Sequence, residues 1–175
     1  MALFEKQDWS RTDLSMLQNG SVHLYWRPSV LAADLASLAD LGYQLIELDA
    51  ASWSSAADLH RDVAAALEFP TYYGRNMDAF NDCLGDVALG DYGWRSDSAG
   101  LVLVLRRFDA FVAADRPTAQ LLLDVFAGRA RIGALFGHQL LCLVQSDDPT
   151  IHLEPVGAQA VTWNRAEWLT AERER

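Results

Sequence analysis

Residues 21–49 read SVHLYWRPSVLAADLASLADLGYQLIELD, and this stretch decides the fold class. Val22 to Trp26 is a short β-prone run, and Ser29 then fits the N-cap or first turn of a helix. Leucines recur at helical spacing until Gly42, a residue type that commonly ends helices. Tyr43 to Asp49 returns to strand character. Because a β-α-β unit places its two strands parallel in one sheet, the stretch predicts an α/β fold.

The sequence after this unit continues to alternate between helices and strands. It predicts a helix from Ser54 or Ser55 to Pro70, a helix from Met77 to about Leu84 that Asn76 caps, a surface loop from Gly85 to Gly100, a buried strand from Leu101 to Leu105, a helix from Pro117 to about Gly137 and a buried strand from Leu140 to Val144. The tail after Asp147 is typical of a hairpin or edge strand followed by a charged helix from Arg165. No repeat or long linker divides the chain.

The charge balance of the chain is strongly acidic. Lys and Arg total 14 against 24 Asp and Glu, which gives a net charge of -10. Such a surface repels a phosphate backbone and therefore argues against nucleic-acid binding. A basic protein is the natural partner, although many soluble proteins are acidic only to stay dispersed.

The sequence also predicts the compartment. Cys83 and Cys142 lie in apolar runs, which is typical of reduced, buried thiols rather than of a disulfide scaffold. Met1 to Arg11 lacks the basic end and apolar centre of a signal peptide. No run approaches the ~18 consecutive apolar residues of a membrane helix. We therefore expect a cytoplasmic protein that does not bind a membrane.

Motifs for catalysis or cofactor binding are missing from the sequence. The glycines never fall into the spacing of a phosphate-binding loop. The four histidines lie in separate predicted elements, which favours surface or capping roles over metal binding: His23, His60, His138 and His152. We expect no enzymatic activity, no catalytic residues, no cofactor and no metal.

The sharpest local feature is a pair of acids, Asp78 and Asp82, which share one face of a predicted helix. Like charges at this spacing disfavour the helix, and the helix dipole compensates only Asp78, in the first turn. Because nothing nearby in the sequence offsets this loss of helix stability, the pair suggests a ligand from outside the chain. Four interpretations fit these residues alone: a divalent cation with Asp86 as a third ligand, a general acid and base pair, a cationic protein surface, or a merely solvated acidic face.

Two tyrosines precede this helix in a compact turn. Tyr72 and Tyr73 offer large, rigid side chains with polar ends, which are common both at interfaces and in cores. With Gly74 and Asn76 they form a loop that leads directly to the two acids. Aromatic surface is therefore predicted beside negative charge.

The run LEFPTYYGRNMDAFNDCL, residues 67–84, resembles the signature of the barstar family of ribonuclease inhibitors. The resemblance extends over roughly 45–146 through matching segments at Ile46 to Asp49, Asp58 to His60, Leu101 to Phe108, Val125 to Phe126 and Leu140 to Val144. It implies a barstar-like domain at 45–146, an N-terminal β-α extension at 1–44 packed on the same sheet, and a C-terminal extension at 147–175.

The resemblance implies a small parallel β-sheet flanked by α-helices, and an inhibitor without catalytic activity that blocks the basic active site of a ribonuclease. It assigns seven residues: Tyr72, Gly74, Asp78, Asn81 and Asp82 to partner binding, with Tyr73 and Asn76 in support. Tyr72 would pack on the enzyme, and the backbone of Gly74 would lie in the contact. Asp78 and Asp82 would enter the pocket that binds substrate phosphate, which protects the cell that makes the enzyme.

Three positions depart from the family's pattern. Asn81 replaces an aromatic residue on the binding helix, Gly128 stands where the later helix carries an acid, and Arg75 stands where the prototype has an acid. The target is therefore a different ribonuclease or another basic protein. A second hypothesis keeps the fold but makes the chain a non-inhibitory interaction module. A metal-dependent hydrolase built on the acids of the binding helix is a third hypothesis.

Overall fold

The computed structural model describes residues 11–173, except for the side chain of Glu172. One five-stranded sheet has the order β2-β3-β4-β1-β5, and every neighbouring pair is parallel. Its strands are β1 (Val22–Tyr25), β2 (Gln44–Asp49), β3 (Leu101–Arg106), β4 (Leu140–Gln145) and β5 (Thr162–Trp163). The predicted α/β fold with a parallel sheet flanked by helices is confirmed. The signal-peptide prediction concerns residues that, Arg11 apart, lie outside the described range.

Seven α-helices are found in the described residues. They are α1 (Thr12–Gln18), α2 (Pro28–Asp40), α3 (Ala56–Ala66), α4 (Met77–Leu89), α5 (Phe108–Ala114), α6 (Arg116–Leu135) and α7 (Thr170–Arg173). Short 3₁₀ turns lie at Ala50–Ser52 and Arg165–Glu167. Within the described range, no helix combines the length and apolar character that crossing a bilayer requires.

The sheet separates two apolar cores, because alternate side chains of a strand point to opposite faces. Leu101, Leu103 and Leu105 of β3 face the larger core, which buries residues from α3, α4, α5 and α6. Val102 and Val104 face the smaller core, which buries residues from α1 and α2. The predicted binding helix therefore rests on the larger core.

The two strands of the β-α-β unit lie parallel in one sheet, as predicted, but they are not neighbours. Strand β1 pairs with β4 in the register Val22↔Cys142, and β2 pairs with β3 in the register Leu45↔Val102. Strands β3 and β4 therefore lie between β1 and β2. The added strand extends the sheet at the side away from β2.

Several element boundaries differ from the sequence prediction. The predicted loop from Gly85 begins only after Leu89, because Val87 and Ala88 are fully buried and Gly90, in the left-handed region, then ends the helix. The short helices α1 and α5 were not predicted. In α5 the burial of Phe108, Phe111 and Val112 stabilises only seven residues, too short a run for helical periodicity to be read from the sequence.

The predicted buried thiols are confirmed, since Cys83 and Cys142 are free and buried. The histidine prediction is partly wrong. His23 and His60 are buried and hydrogen-bonded rather than exposed, because each ring finds a polar partner inside the fold. His138 does cap a helix, with Nδ1 lying 3.0 Å from the carbonyl oxygen of Ala88 at the end of α4.

Candidate protein-binding site

The start of α4 is fixed by the side chain of Asn76. Its Oδ1 accepts a hydrogen bond of 2.9 Å from the N–H of Ala79, which satisfies one of the free donors of the first turn. Asp78 and Asp82 then follow on one exposed face of the helix. The opposite face is buried through Phe80 and other core residues. The sequence therefore holds the two acids on a rigid, well-anchored helix.

Neither acid is neutralised by the protein itself. Within the described residues, the carboxylates of Asp78 and Asp82 have no hydrogen bond and no ion pair. Some other exposed acids do form ion pairs, among them Asp49 with Arg107 and Glu47 with Arg106. The exposed face of α4 is therefore a local concentration of uncompensated negative charge.

The loop before α4 separates its two tyrosines. Tyr72 is 79% exposed, whereas Tyr73 is buried and hydrogen-bonded through its hydroxyl to Nδ1 of His60. The Tyr73 ring lies 4.9 Å from that of Phe69 in an edge-to-face contact. Burial raises the pKa of Tyr73 and lowers the pKa of His60. One tyrosine thus anchors the loop while the other projects outward.

The turn between the tyrosines and the helix is tight. A Cβ on Gly74 would lie 3.2 Å from Nδ2 of Asn76 and 3.4 Å from Cβ of Ala79, so a larger residue would crowd the cap. Arg75 has a φ of 50°, in the left-handed region that few residues adopt at low cost. Its side chain is exposed, three residues before Asp78 in the chain.

Asn81 lies differently from the other predicted binding residues. It is half-buried, and its Oδ1 accepts a hydrogen bond of 2.9 Å from Nε of Arg129 on α6. Asn81 therefore joins two helices, whereas Tyr72, Gly74 and Asp78 are exposed together with Asp82. A Cβ on Gly128 would meet no atom within 4 Å, so the position of the family's missing acid is open surface.

The geometry gives little support to a metal site at α4. Asp86, the third acid of that hypothesis, is half-buried and accepts a hydrogen bond of 3.2 Å from the hydroxyl of Tyr92. Within residues 11–173, no group of three or more His, Cys, Asp or Glu side chains is placed to hold a metal ion. The other two acids face outward without a third ligand.

Sequence reasoning missed two contributors to the site. His60 supports the loop from α3, and Arg129 reaches α4 from α6. Neither has a local sequence signal, because both partners lie 13 or more residues away in the chain. Their roles follow only from the packing of helices on the sheet.

Comparison with known proteins gives two matches. The family model described as Barstar (barnase inhibitor) matches residues 43–145, more than half of the chain. The "Putative ribonuclease inhibitor YrdF" of Bacillus subtilis (strain 168) is 39% identical over 64 residues, which are 37% of this chain and 60% of that protein. The chain therefore spans less than two thirds of this curated relative. Strands β1 and β5 lie outside the range of the family match.

Proposed function

The chain belongs to the barstar family, and on that premise we propose that it is a protein inhibitor that binds a ribonuclease and blocks its active site. The observation that carries this proposal is the pair of exposed acids, Asp78 and Asp82, which have no partner among residues 11–173 and lie on one face of a capped helix. The chain would act as an inhibitor and not as an enzyme. Its role would be to protect the cell that makes the ribonuclease.

The proposed mechanism is charge mimicry. A ribonuclease binds substrate phosphates with Arg, Lys and His, and these groups also form charge-assisted hydrogen bonds with carboxylates. The carboxylates of Asp78 and Asp82 would occupy the positions of two phosphates. With a net charge of -10, the chain would also attract a basic enzyme and speed the encounter.

The loop before α4 would supply the packing contact. Tyr72 projects its ring into solvent, and a rigid aromatic side chain loses little conformational entropy when it is buried by a partner. Gly74 would allow the partner to approach the backbone. Asn76 and Tyr73 hold this loop in place, so the loop would lose little conformational entropy on binding.

The departures from the family's pattern bear on the target. Arg75 adds a positive charge shortly before the acids in the chain, and Asn81 is engaged by Arg129. We therefore propose a ribonuclease whose surface around the active site differs from that of barnase. The same departures motivate the alternative, a barstar-fold module whose basic partner is not a nuclease.

The test is a titration of ribonuclease activity with the full chain. The probes are barnase and the small basic ribonucleases secreted by the organism that encodes the chain. We expect stoichiometric inhibition of at least one enzyme, relieved by a mononucleotide that competes for its active site.

The matched control separates a specific anchor from a general charge effect. Asp82→Ala should weaken inhibition strongly, whereas Asp40→Ala removes the same charge from the exposed end of α2 and should not. Inhibition of none of the enzymes, or equal losses for both variants, would overturn the proposal. Capture of a basic protein without nuclease activity would favour the alternative.

A further inference from the structure

The long helix α6 is covered by the rest of the protein around only part of its circumference. One side faces α4, where Arg129 bonds to Asn81 and a Cβ on Gly133 would lie 2.8 Å from the carbonyl oxygen of Ala88. The neighbouring side is buried in the larger core through Leu122, Leu123, Phe126 and Ala130.

A third side of α6 carries the C-terminal segment 151–157, which we call the strap. Polar side chains of α6 bind the main chain of the strap: Arg116 donates to the carbonyl of His152, Gln120 exchanges two hydrogen bonds with Glu154, Asp124 accepts from the N–H of Gly157, and Arg131 donates to the carbonyl of Gly157. The strap buries its own apolar side chains, Ile151, Leu153 and Val156. The polar side chains on this side of α6 are therefore occupied by hydrogen bonds to the strap.

The remaining side of α6 is apolar and partly exposed: Leu121, Ile132 and Leu135 are exposed, whereas Gly128 is half-buried and Val125 packs half-buried against the larger core. It consists of Leu121, Val125, Gly128, Ile132 and Leu135, which recur at alternate intervals of four and three residues, with Phe136 directly after the helix. We call these six residues the apolar stripe. Leu135 is 81% exposed and Phe136 is 65% exposed. A contiguous apolar surface of this kind typically marks an interaction site.

The apolar stripe lies next to the acidic face of α4. Asn81 contacts Arg129 and Ala88 approaches Gly133, so the two helices run in the same direction with their exposed sides adjacent. Leu89 follows the two acids on the same side of α4 and is 39% exposed. Asp78 and Asp82 therefore lie beside the middle of the apolar stripe, and Leu89 lies near its C-terminal end.

We infer that the apolar stripe forms part of the same docking surface as Asp78 and Asp82, and that it binds an exposed apolar ridge beside the cationic active site of a basic ribonuclease. This inference rests on the proposed function. Gly128 would let the ridge approach the axis of α6, because its position opens directly to solvent. The stripe would supply contact area where the family's acid is absent.

Charge complementarity favours a basic protein over a second copy of this chain. A second copy would bring its own Asp78 and Asp82 and a net charge of -10 to the contact. Like charges placed together across an interface oppose association. A basic partner gains attraction from the same acids, and the stripe then adds burial of apolar surface.

The inference is tested with the ribonuclease that the chain inhibits most tightly. Phe136→Ser should weaken inhibition about tenfold, a loss typical of an apolar anchor, and the loss should persist at high salt. Trp168→Ser is the matched control, since Trp168 is 59% exposed but lies after β5, and it should have no effect. Gly128→Lys should weaken inhibition through bulk and repulsion. The loss from Asp82→Ala should shrink as salt screens the charges.

The outcomes separate this inference from the proposed function. If Asp82→Ala weakens inhibition but Phe136→Ser and Gly128→Lys do not, the stripe is not part of the interface and the inhibitor function stands. If no ribonuclease is inhibited, both fail. A dimer in sedimentation experiments that Phe136→Ser dissociates would also overturn the inference, because a second copy would then occupy the stripe.

Discussion

Two successive helices carry the same pattern of acids in opposite states. Helix α3 carries Asp58 and Asp62, and helix α4 carries Asp78 and Asp82, in each case four residues apart. On α3, Arg61 donates hydrogen bonds of 2.8 Å to Asp58 and 2.7 Å to Asp62. On α4, neither carboxylate has a partner among the described residues.

The two acids of α3 are hydrogen-bonded to neighbouring residues of the same protein. Hydrogen bonds from the Ser54 N–H and hydroxyl, followed by Arg61, lower the pKa of Asp58. The hydrogen bond from Arg61 is the main cause of the lowered pKa of Asp62. Asp62 also accepts a hydrogen bond of 2.9 Å from Nε1 of buried Trp53. Identical spacing therefore does not define a binding site. An acid pair is available to a partner only where the fold leaves it unpaired on a rigid element.

The largest expected effect is a crossed response of the two helices. Asp82→Ala should cost about 2–5 kcal/mol of binding free energy, as for loss of one member of a buried charge pair, with little change in stability. Asp62→Ala should leave binding unchanged but cost about 1–3 kcal/mol of unfolding free energy, because the buried Nε1 of Trp53 loses its acceptor. Inhibition titrations and denaturant unfolding measure the two quantities. Equal behaviour of the two variants would contradict the comparison.

The two tyrosines extend the contrast into the loop. Tyr72→Ala should weaken ribonuclease binding by about 2 kcal/mol without changing stability, because the side chain is exposed. Tyr73→Phe should lower the free energy of unfolding by about 1 kcal/mol, because it removes the hydrogen bond to His60 of α3, and should weaken binding much less than Tyr72→Ala does. If Tyr73→Phe weakened binding as much as Tyr72→Ala, this prediction would be wrong.

The pH dependence of stability should come partly from His60 of α3. Burial lowers its pKa from 6.5, so the unfolded chain binds a proton more readily than the folded one. Its stabilising contribution is complete above pH 6.5 and declines as the pH falls toward the folded pKa. His60→Gln should therefore flatten the fall in unfolding free energy below this pH. Buried His23, whose pKa is also lowered by burial, should retain the rest of the slope.

The smallest expected effect concerns repulsion within each pair. Asp82→Asn should raise the free energy of unfolding by about 0.2–0.5 kcal/mol, because it removes a like charge four residues from Asp78. Asp62→Asn should lower it, since the charge of Asp62 is bound to Arg61. Thermal unfolding at low salt provides the measurement. A gain in stability for both variants would show that Arg61 does not compensate its neighbours.

Much of the fold could be predicted from local patterns. Helix α2, the buried strands β3 and β4 and the cap at Asn76 have periodicity or residue types that act within a few positions. The end of α4 could not be predicted from Gly85. The helix continues past this glycine because the burial of Val87 and Ala88 in the next turn stabilises it. The C-terminal segment was expected to form a hairpin or an edge strand, and β5 is a parallel edge strand beside β1.

The candidate site was located by sequence, but its chemistry was not. The signature at 67–84 led to Tyr72, Asp78 and Asp82, and the assignment of those residues to binding stays a prediction. The same reasoning placed Asn81 beside them, whereas its side chain is engaged by Arg129. No local pattern indicates that bond, because 48 residues separate its two partners.

By itself the sequence determined the α/β class, the parallel direction of β1 and β2, the acidic charge and the capped start of α4, since these depend on residue type and short-range spacing. Only the tertiary structure decided which acids are free, which tyrosine is exposed and which side of α6 is left uncovered. Those properties depend on neighbours that are distant in the chain. Arg61 binds both acids of the pair on α3, and no described residue binds either acid of the pair on α4.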